Sequence, residues 1–116
     1  MTTAPRTPEE LDALLEDAFV LHDGKACRAL FADGAVLEHV DGAAARGGDD
    51  VARAIAPLWA SDRTYVSAPR RVLQARDMAL VVSDAAIHVA RRERDRTWRV
   101  AISLLELDRP IRQEDP

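Results

Sequence analysis

The run Leu30-Phe31-Ala32-Asp33-Gly34-Ala35-Val36-Leu37-Glu38-His39 constrains this chain more than any other stretch. It reads as the end of a short helix, an Asp-Gly turn, and then a strand of about 35–40. Strict alternation places Leu37 and His39 on one face of that strand, with Val36, Glu38 and Val40 on the other. A histidine thus arrives on the same side as a core leucine.

The flanking segments follow from equally local chemistry. Thr7-Pro8-Glu9-Glu10 supplies an N-cap, a proline at the first helical position and a capping-box glutamate. Leu11, Leu14, Leu15, Ala18, Phe19 and then Leu21 or His22 continue at helical spacing, which predicts a helix over about 8–22, with residues 1–6 as a loose leader. Asp23-Gly24 ends it, and a second helix over roughly 25–31 sets Cys27, Leu30 and Phe31 against the first. Past the strand, Asp41-Gly42 is a turn, Ala44 to Gly47 a short pairing strand, and Asp49 or Asp50 the cap of a third helix. Val51, Ile55, Leu58 and Trp59 form its apolar face, and Pro57 should kink or tighten its last turn. The remainder predicts three strands: 65–74, with a bulge or edge position at Pro69; 78–89, the longest; and 98–107, after a hairpin at 91–96. Strands that follow segregated helices indicate an α+β fold with the helices on one face of an antiparallel sheet. The chain reads as a single domain, 1–116, with its core in about 8–107.

Composition narrows the function classes. Apolar residues make up 47% of the chain but aromatics only 4%, so the core is built of small pieces and a cavity is easily left within it. The net charge is −4 and the arginines are scattered, which excludes the basic stripe of a nucleic-acid binder. A single cysteine, Cys27, excludes an internal disulfide and a cysteine-based zinc cluster, and its place on the second helix suits a buried thiol. No run resembles a signal peptide or approaches the ~20 apolar residues of a membrane span. The expectation is a cytoplasmic protein without nucleic-acid or membrane partners.

The element order, the Leu30 to Leu37 run, Ala45-Arg46-Gly47 before the third helix, and Trp98-Arg99-Val100-Ala101-Ile102 in the last strand together resemble the nuclear transport factor 2-like superfamily. The nearest groups are its SnoaL-like and ketosteroid-isomerase-like bacterial members, and the match extends over nearly the whole core. The resemblance implies a cystatin-like cone, in which three helices pack on a strongly curved, mixed and mainly antiparallel sheet. It also implies a conical pocket and a homodimer through the sheet. Ketosteroid isomerases carry an aspartate base on the strand after the Phe-Ala-Asp turn, and His39 stands in that place. Leu15 stands where they have a helix-1 tyrosine donor. Their second donor, a protonated aspartate, falls near Ile87 to Val89, where His88 is the one polar residue. Steroid isomerisation is therefore not expected, and no position matches the aspartic acid/base of SnoaL-like cyclases.

His39 is the leading acid/base candidate, because an imidazole titrating near neutrality can take or give a proton at cellular pH. The bland alternative is a hydrogen-bonded core histidine. Asp84 and His88 share a face with Leu80 and Val82 on the expected long strand, where an apolar setting would raise the pKa of an aspartate or let it orient a histidine. Otherwise Asp84 sits at the rim or on a bulge. Two histidines in the cone, His39 and His88, would make a shared acid/base site. Leu15, Phe19, Leu37, Trp59 and Tyr65 are the expected pocket walls, with core packing as the plainer role. Glu38 alternates outward, Ser103 reads as an ordinary strand residue, and Arg91 to Arg96 is a mixed-charge solvated hairpin. His22, His39 and His88 lie on separate elements with no ligand spacing, so neither metal nor cofactor is expected. These features predict a pocket protein for a small apolar organic molecule, performing cofactor-free isomerisation or cyclisation. The alternative is a non-catalytic binding module or a dimeric accessory scaffold with a filled cone.

Overall fold

The structure is a computed structural model that describes residues 4–39, 42, 44–59, 65 and 69–106, with Trp59 described in its backbone alone. Helix α1 (Pro8–Leu21) begins as its sequence predicts: the Thr7 hydroxyl accepts from the Glu10 amide at 3.0 Å, and the Glu10 carboxylate accepts from the Arg6 amide at 2.6 Å. It ends at His22, whose left-handed backbone (φ 52°) lets the Asp23 amide reach the Ala18 carbonyl at 2.9 Å. Asp23 then caps α2 (Gly24–Ala29) by accepting from the Ala26 amide, so the Asp-Gly step that closes one helix opens the next.

Strands β1 (Phe31–His39) and β2 (Ala44–Arg46) precede α3 (Gly48–Trp59), and β3 (Arg71–Ala75), β4 (Met78–Val82), β5 (Ala86–Arg92) and β6 (Trp98–Leu105) complete the fold. The six strands form one sheet in the order β2-β1-β6-β5-β4-β3. β1 and β6 run parallel, and every other neighbouring pair is antiparallel. The architecture is three helices on a mixed six-stranded sheet, the α+β cone that the resemblance implies. No helix among the described residues is long and apolar enough to cross a membrane.

Three local expectations change. The first strand starts at Phe31 rather than near Ala35, because the Leu30 carbonyl already accepts from the Val100 amide at 2.9 Å. The register then slips from Phe31↔Val100 to Val36↔Ile102, so the exposed Asp33-Gly34 step is an irregularity within β1 and not a helix-to-strand turn. The expected long strand 78–89 is two strands, since Ser83 closes a turn: its amide donates to the Ala86 carbonyl at 2.9 Å and its hydroxyl accepts from the Ala86 amide at 3.3 Å. The expected strand 65–74 contracts to β3, which leaves Tyr65 outside any strand, while residues 66–68 lie outside the described residues. Pro57 is accommodated inside α3, which continues to Trp59.

The core lies between the helices and one face of the sheet. α1 buries Pro8, Leu11, Asp12, Leu15, Ala18 and Phe19, a single stripe at helical spacing. α3 contributes Val51, Ile55 and Leu58. Opposite them stand the inward positions of the strands, among them Leu37, Ala86, Ala90, Val100 and Leu105. Gly47 joins β2 to α3 with φ +88°, and its amide reaches back to the Ala35 carbonyl at 2.7 Å.

Removing the α1 cap with Thr7→Ala should cost about 1 kcal/mol in a urea melt. Asp84→Ala, which deletes the exposed ion pair of Asp84 with Arg70, should change stability by no more than about 0.5 kcal/mol.

Candidate functional site

One residue in the buried stripe of α1 is a carboxylate. Asp12 is 1% exposed, and it faces His88 on β5, also 1% exposed, across the hydroxyl of Tyr65. The Tyr65 hydroxyl donates to Asp12 Oδ1, and the Tyr65 oxygen lies 2.7 Å from His88 Nε2. A phenol has one proton, and Asp12 receives it, so His88 Nε2 must be the donor in the second bond. Asp12 and His88 are themselves 3.9 Å apart, too far for a direct hydrogen bond. The three side chains form one chain, carboxylate to phenol to imidazole, with Phe19 against the Tyr65 ring at a centroid distance of 5.2 Å.

This arrangement fixes the imidazole's state. With Nε2 carrying the proton, Nδ1 is a bare lone pair, and it has no hydrogen-bond partner among the described residues. Protonating it would bury a charged N–H that bonds to no acceptor among the described residues, and burial pushes the His88 pKa down from 6.5 to about 4. Burial also pushes the Tyr65 phenol far above its ordinary range, and the neighbouring Asp12 adds to that shift by charge and by hydrogen bond. Tyr65 is therefore a neutral phenol, and His88 a neutral base.

Ser103 stands directly opposite His88 in the β5–β6 register, is 1% exposed, and its hydroxyl also has no hydrogen-bond partner among the described residues. Across the concave face, one row therefore reads Val81, His88, Ser103, Leu37. His39 occupies the next inward position on β1 and pairs in register with Leu105. It is buried, at 3% exposure. The backbones of His39 and His88 are separated by two strand spacings and two residues along the strand, roughly 12 Å. The two histidines share the concave face, but Tyr65 and Asp12 hold His88.

The remaining candidates separate clearly. Leu15, Phe19, Leu37 and Tyr65 are all buried in the same core cluster. Trp59 is the last residue of α3, and its side chain lies outside the described residues. Asp84 is corrected: the β4–β5 turn carries it out to solvent, where its carboxylate meets Arg70 at 3.0 Å with side chains 74% and 70% exposed. Sequence reasoning passed over Asp12 and treated Ser103 as an ordinary strand residue. For Asp12 a signal was present, a lone carboxylate at a core position of an otherwise apolar helical stripe. A separate cleft of about 490 Å³, between α2, α3 and the start of β1, is lined by Arg28, Arg46, Asp49 and Arg53 among others. Arg28 is ion-paired to Asp49 and Arg53 to Asp50, and none of the buried triad lines it. Cys27 is a buried thiol that burial pushes up to about 12, which makes it a poor nucleophile. Among the described residues no group of three or more His, Cys, Asp or Glu is placed to hold a metal ion.

The SnoaL-like domain profile matches residues 11–108. The chain belongs to the SnoaL-like family. Solved structures agree on the nuclear transport factor 2-like, cystatin-like fold. A ketosteroid isomerase-like protein from Erwinia carotovora atroseptica superposes with a TM-score of 0.70 at 21% identity, covering 88% of this chain and 94% of that one. A candidate calcium/calmodulin-dependent protein kinase type II association domain from Thiobacillus denitrificans gives 0.75 at 19% identity, covering 94% and 100%. A candidate dehydratase of the NTF2-like family from Streptomyces avermitilis gives 0.62 at 17% identity, covering 84% and 91%. At these identities the likeness establishes the fold alone. No curated protein matches. This SnoaL-like chain carries a buried polar triad of Asp12, Tyr65 and His88.

The neutral state of His88 carries a stability consequence. The unfolded chain takes up a proton near pH 6.5, whereas the folded protein resists it down to about pH 4. The unfolded state thus binds more protons in that window, and stability falls as pH falls through it. Between pH 7 and pH 4 this group should cost the native protein roughly 3 kcal/mol. Urea melts at the two pH values should show that loss in the wild type, and His88→Gln should lack this component of it.

Proposed function

We propose that this SnoaL-like protein binds a small, largely apolar organic molecule in its cone and performs cofactor-free proton transfer on it, with His88 Nδ1 as the base. The observation that carries the reading is the Tyr65 hydroxyl held between Asp12 and His88. That geometry is a relay. As Nδ1 accepts a proton from the substrate, the Nε2 proton passes to the Tyr65 oxygen and the Tyr65 proton passes to Asp12. The imidazole ends in its other neutral tautomer, the phenol is again neutral, and the proton's charge is cancelled on the carboxylate. No imidazolium has to persist in the core, which removes the main penalty of using so deeply buried a histidine. His39, buried on the same face, is the second acid/base group of this reading. Leu15, Phe19 and Leu37 supply its apolar wall, and isomerisation or cyclisation is the reaction class that needs such chemistry and nothing more.

Mapping by NMR tests this reading. Titration of the 15N-labelled protein with neutral bicyclic fragments should shift the amides of Leu15, Phe19, Leu37 and His88. Shifts confined to the outer face of the sheet or to the arginine-lined cleft would overturn it.

The outer face of the sheet supports a second reading, dimerisation. Register places Leu73, Leu80, Val89, Ile102 and Val36 in one row across five strands, and Val82, Ile87 and Leu104 in the next. Leu73 and Ile102 are each 51% exposed, and a shallow apolar groove of about 320 Å³ runs beside Leu73, Met78 and Leu80. Apolar rows this continuous are uncommon on a lone domain and suit a second copy of the same sheet. Light scattering should report a dimer that Ile102→Asp converts to monomer, and a wild-type monomer at tens of micromolar would exclude it.

A further inference from the structure

Among the described residues, two buried polar atoms on the concave face have no hydrogen-bond partner: His88 Nδ1 and Ser103 Oγ. They belong to cross-strand neighbours and project from the same side of the sheet. A buried polar atom without a partner is destabilising, so two on adjacent strands are an arrangement that packing alone does not favour. The inward neighbours of His88 along β5 are Ala86 and Ala90, the least bulky side chains that could flank it. The imidazole is thus not walled in by its own strand.

The donor and acceptor inventory of the two atoms is asymmetric. Nδ1 has a lone pair and no proton, because Nε2 carries the proton toward Tyr65. The Ser103 hydroxyl can both donate and accept. A carbonyl, ether or carboxylate oxygen would satisfy Ser103 but face the Nδ1 lone pair with another lone pair. A group that donates to Nδ1 while accepting from Ser103 satisfies both, and a hydroxyl on an apolar frame does so with one atom.

We infer that the molecule bound in the cone presents a hydroxyl group, as an alcohol, enol or phenol, to His88 Nδ1 and Ser103 Oγ, and that Ser103 selects for it. This deepens the pocket reading above and rests on it. The hydroxyl proton is then the one the relay can accept, with Ser103 donating to the oxygen as negative charge develops there. Ser103 is in this sense a specificity-determining contact, and an oxygen that carries no proton is disfavoured at the same spot.

Calorimetric titration with 1-naphthol and with 1-methoxynaphthalene tests the inference, since the two share an apolar frame and differ in the hydroxyl proton. Wild-type protein should bind 1-naphthol about tenfold more tightly than the methyl ether, one hydrogen bond's worth of discrimination. Ser103→Ala should narrow that gap without lowering the melting temperature, and 1-naphthol should shift the His88 Nδ1 nitrogen resonance more than Nε2. Equal affinity for the two probes, or preference for the ether, would overturn the inference while leaving the pocket intact. So would a free protein in which Ser103→Ala alone moves the Nδ1 resonance, because Ser103 would then already donate to His88. If neither probe nor any bicyclic fragment binds, the pocket reading and this inference fall together.

Discussion

The parallel pairing of β1 with β6 holds the rest of the molecule in place. The C-terminal half is a four-stranded antiparallel meander, β3 to β6, with β3 at one edge and β6 at the other. The N-terminal half brings three helices and the β1–β2 hairpin. A parallel pair needs a long crossover, and here most of the intervening chain serves as one. Once β1 lies on β6, the helices before and after it have a single face of the sheet to cover. The inward positions of all the longer strands then become core, and His39, Ser103 and His88 arrive on one surface.

Within that core the polar triad is thermodynamically conspicuous. Burying a carboxylate costs several kcal/mol unless its hydrogen bonds are supplied, and an apolar replacement is often the more stable choice. Tyr65 supplies one bond to Asp12 and accepts one from His88, so a single hydroxyl joins two groups that lie too far apart to bond directly. The compensation is incomplete among the described residues, where Nδ1 of His88 and the hydroxyl of Ser103 have no hydrogen-bond partner. Local rules of folding are broken at functional sites more than elsewhere, and this is where the present fold breaks them.

The sheet divides its chemistry between its faces. The concave side is apolar with one polar chain through its middle, while the convex side carries apolar rows outward to solvent. Strand alternation produces both patterns at once: inward His88 lies between outward Ile87 and Val89, and inward Ser103 between outward Ile102 and Leu104. The proposed ligand site and the proposed association surface thus draw on the same two strands without competing for residues.

Much of this was legible in the sequence. Thr7-Pro8-Glu9-Glu10 determined where α1 begins, the apolar spacing of 11, 15, 18 and 19 determined its buried side, and alternation determined that His39 and Leu37 share a face. These are contacts between residues a few positions apart, and local geometry suffices for them. The Ser83 turn was harder, since 78–89 reads as one apolar run, which leaves Asp84 open between the inner face and the rim; the turn carries it to solvent. The triad was beyond local reasoning altogether. Tyr65 lies 53 residues from Asp12 and 23 from His88 along the chain. Periodicity states which face of a helix or strand is buried, but not which buried faces meet. That was decided when β1 closed on β6 and set α1 over β5, bringing an aspartate, a tyrosine and a histidine from three unrelated segments to one hydroxyl.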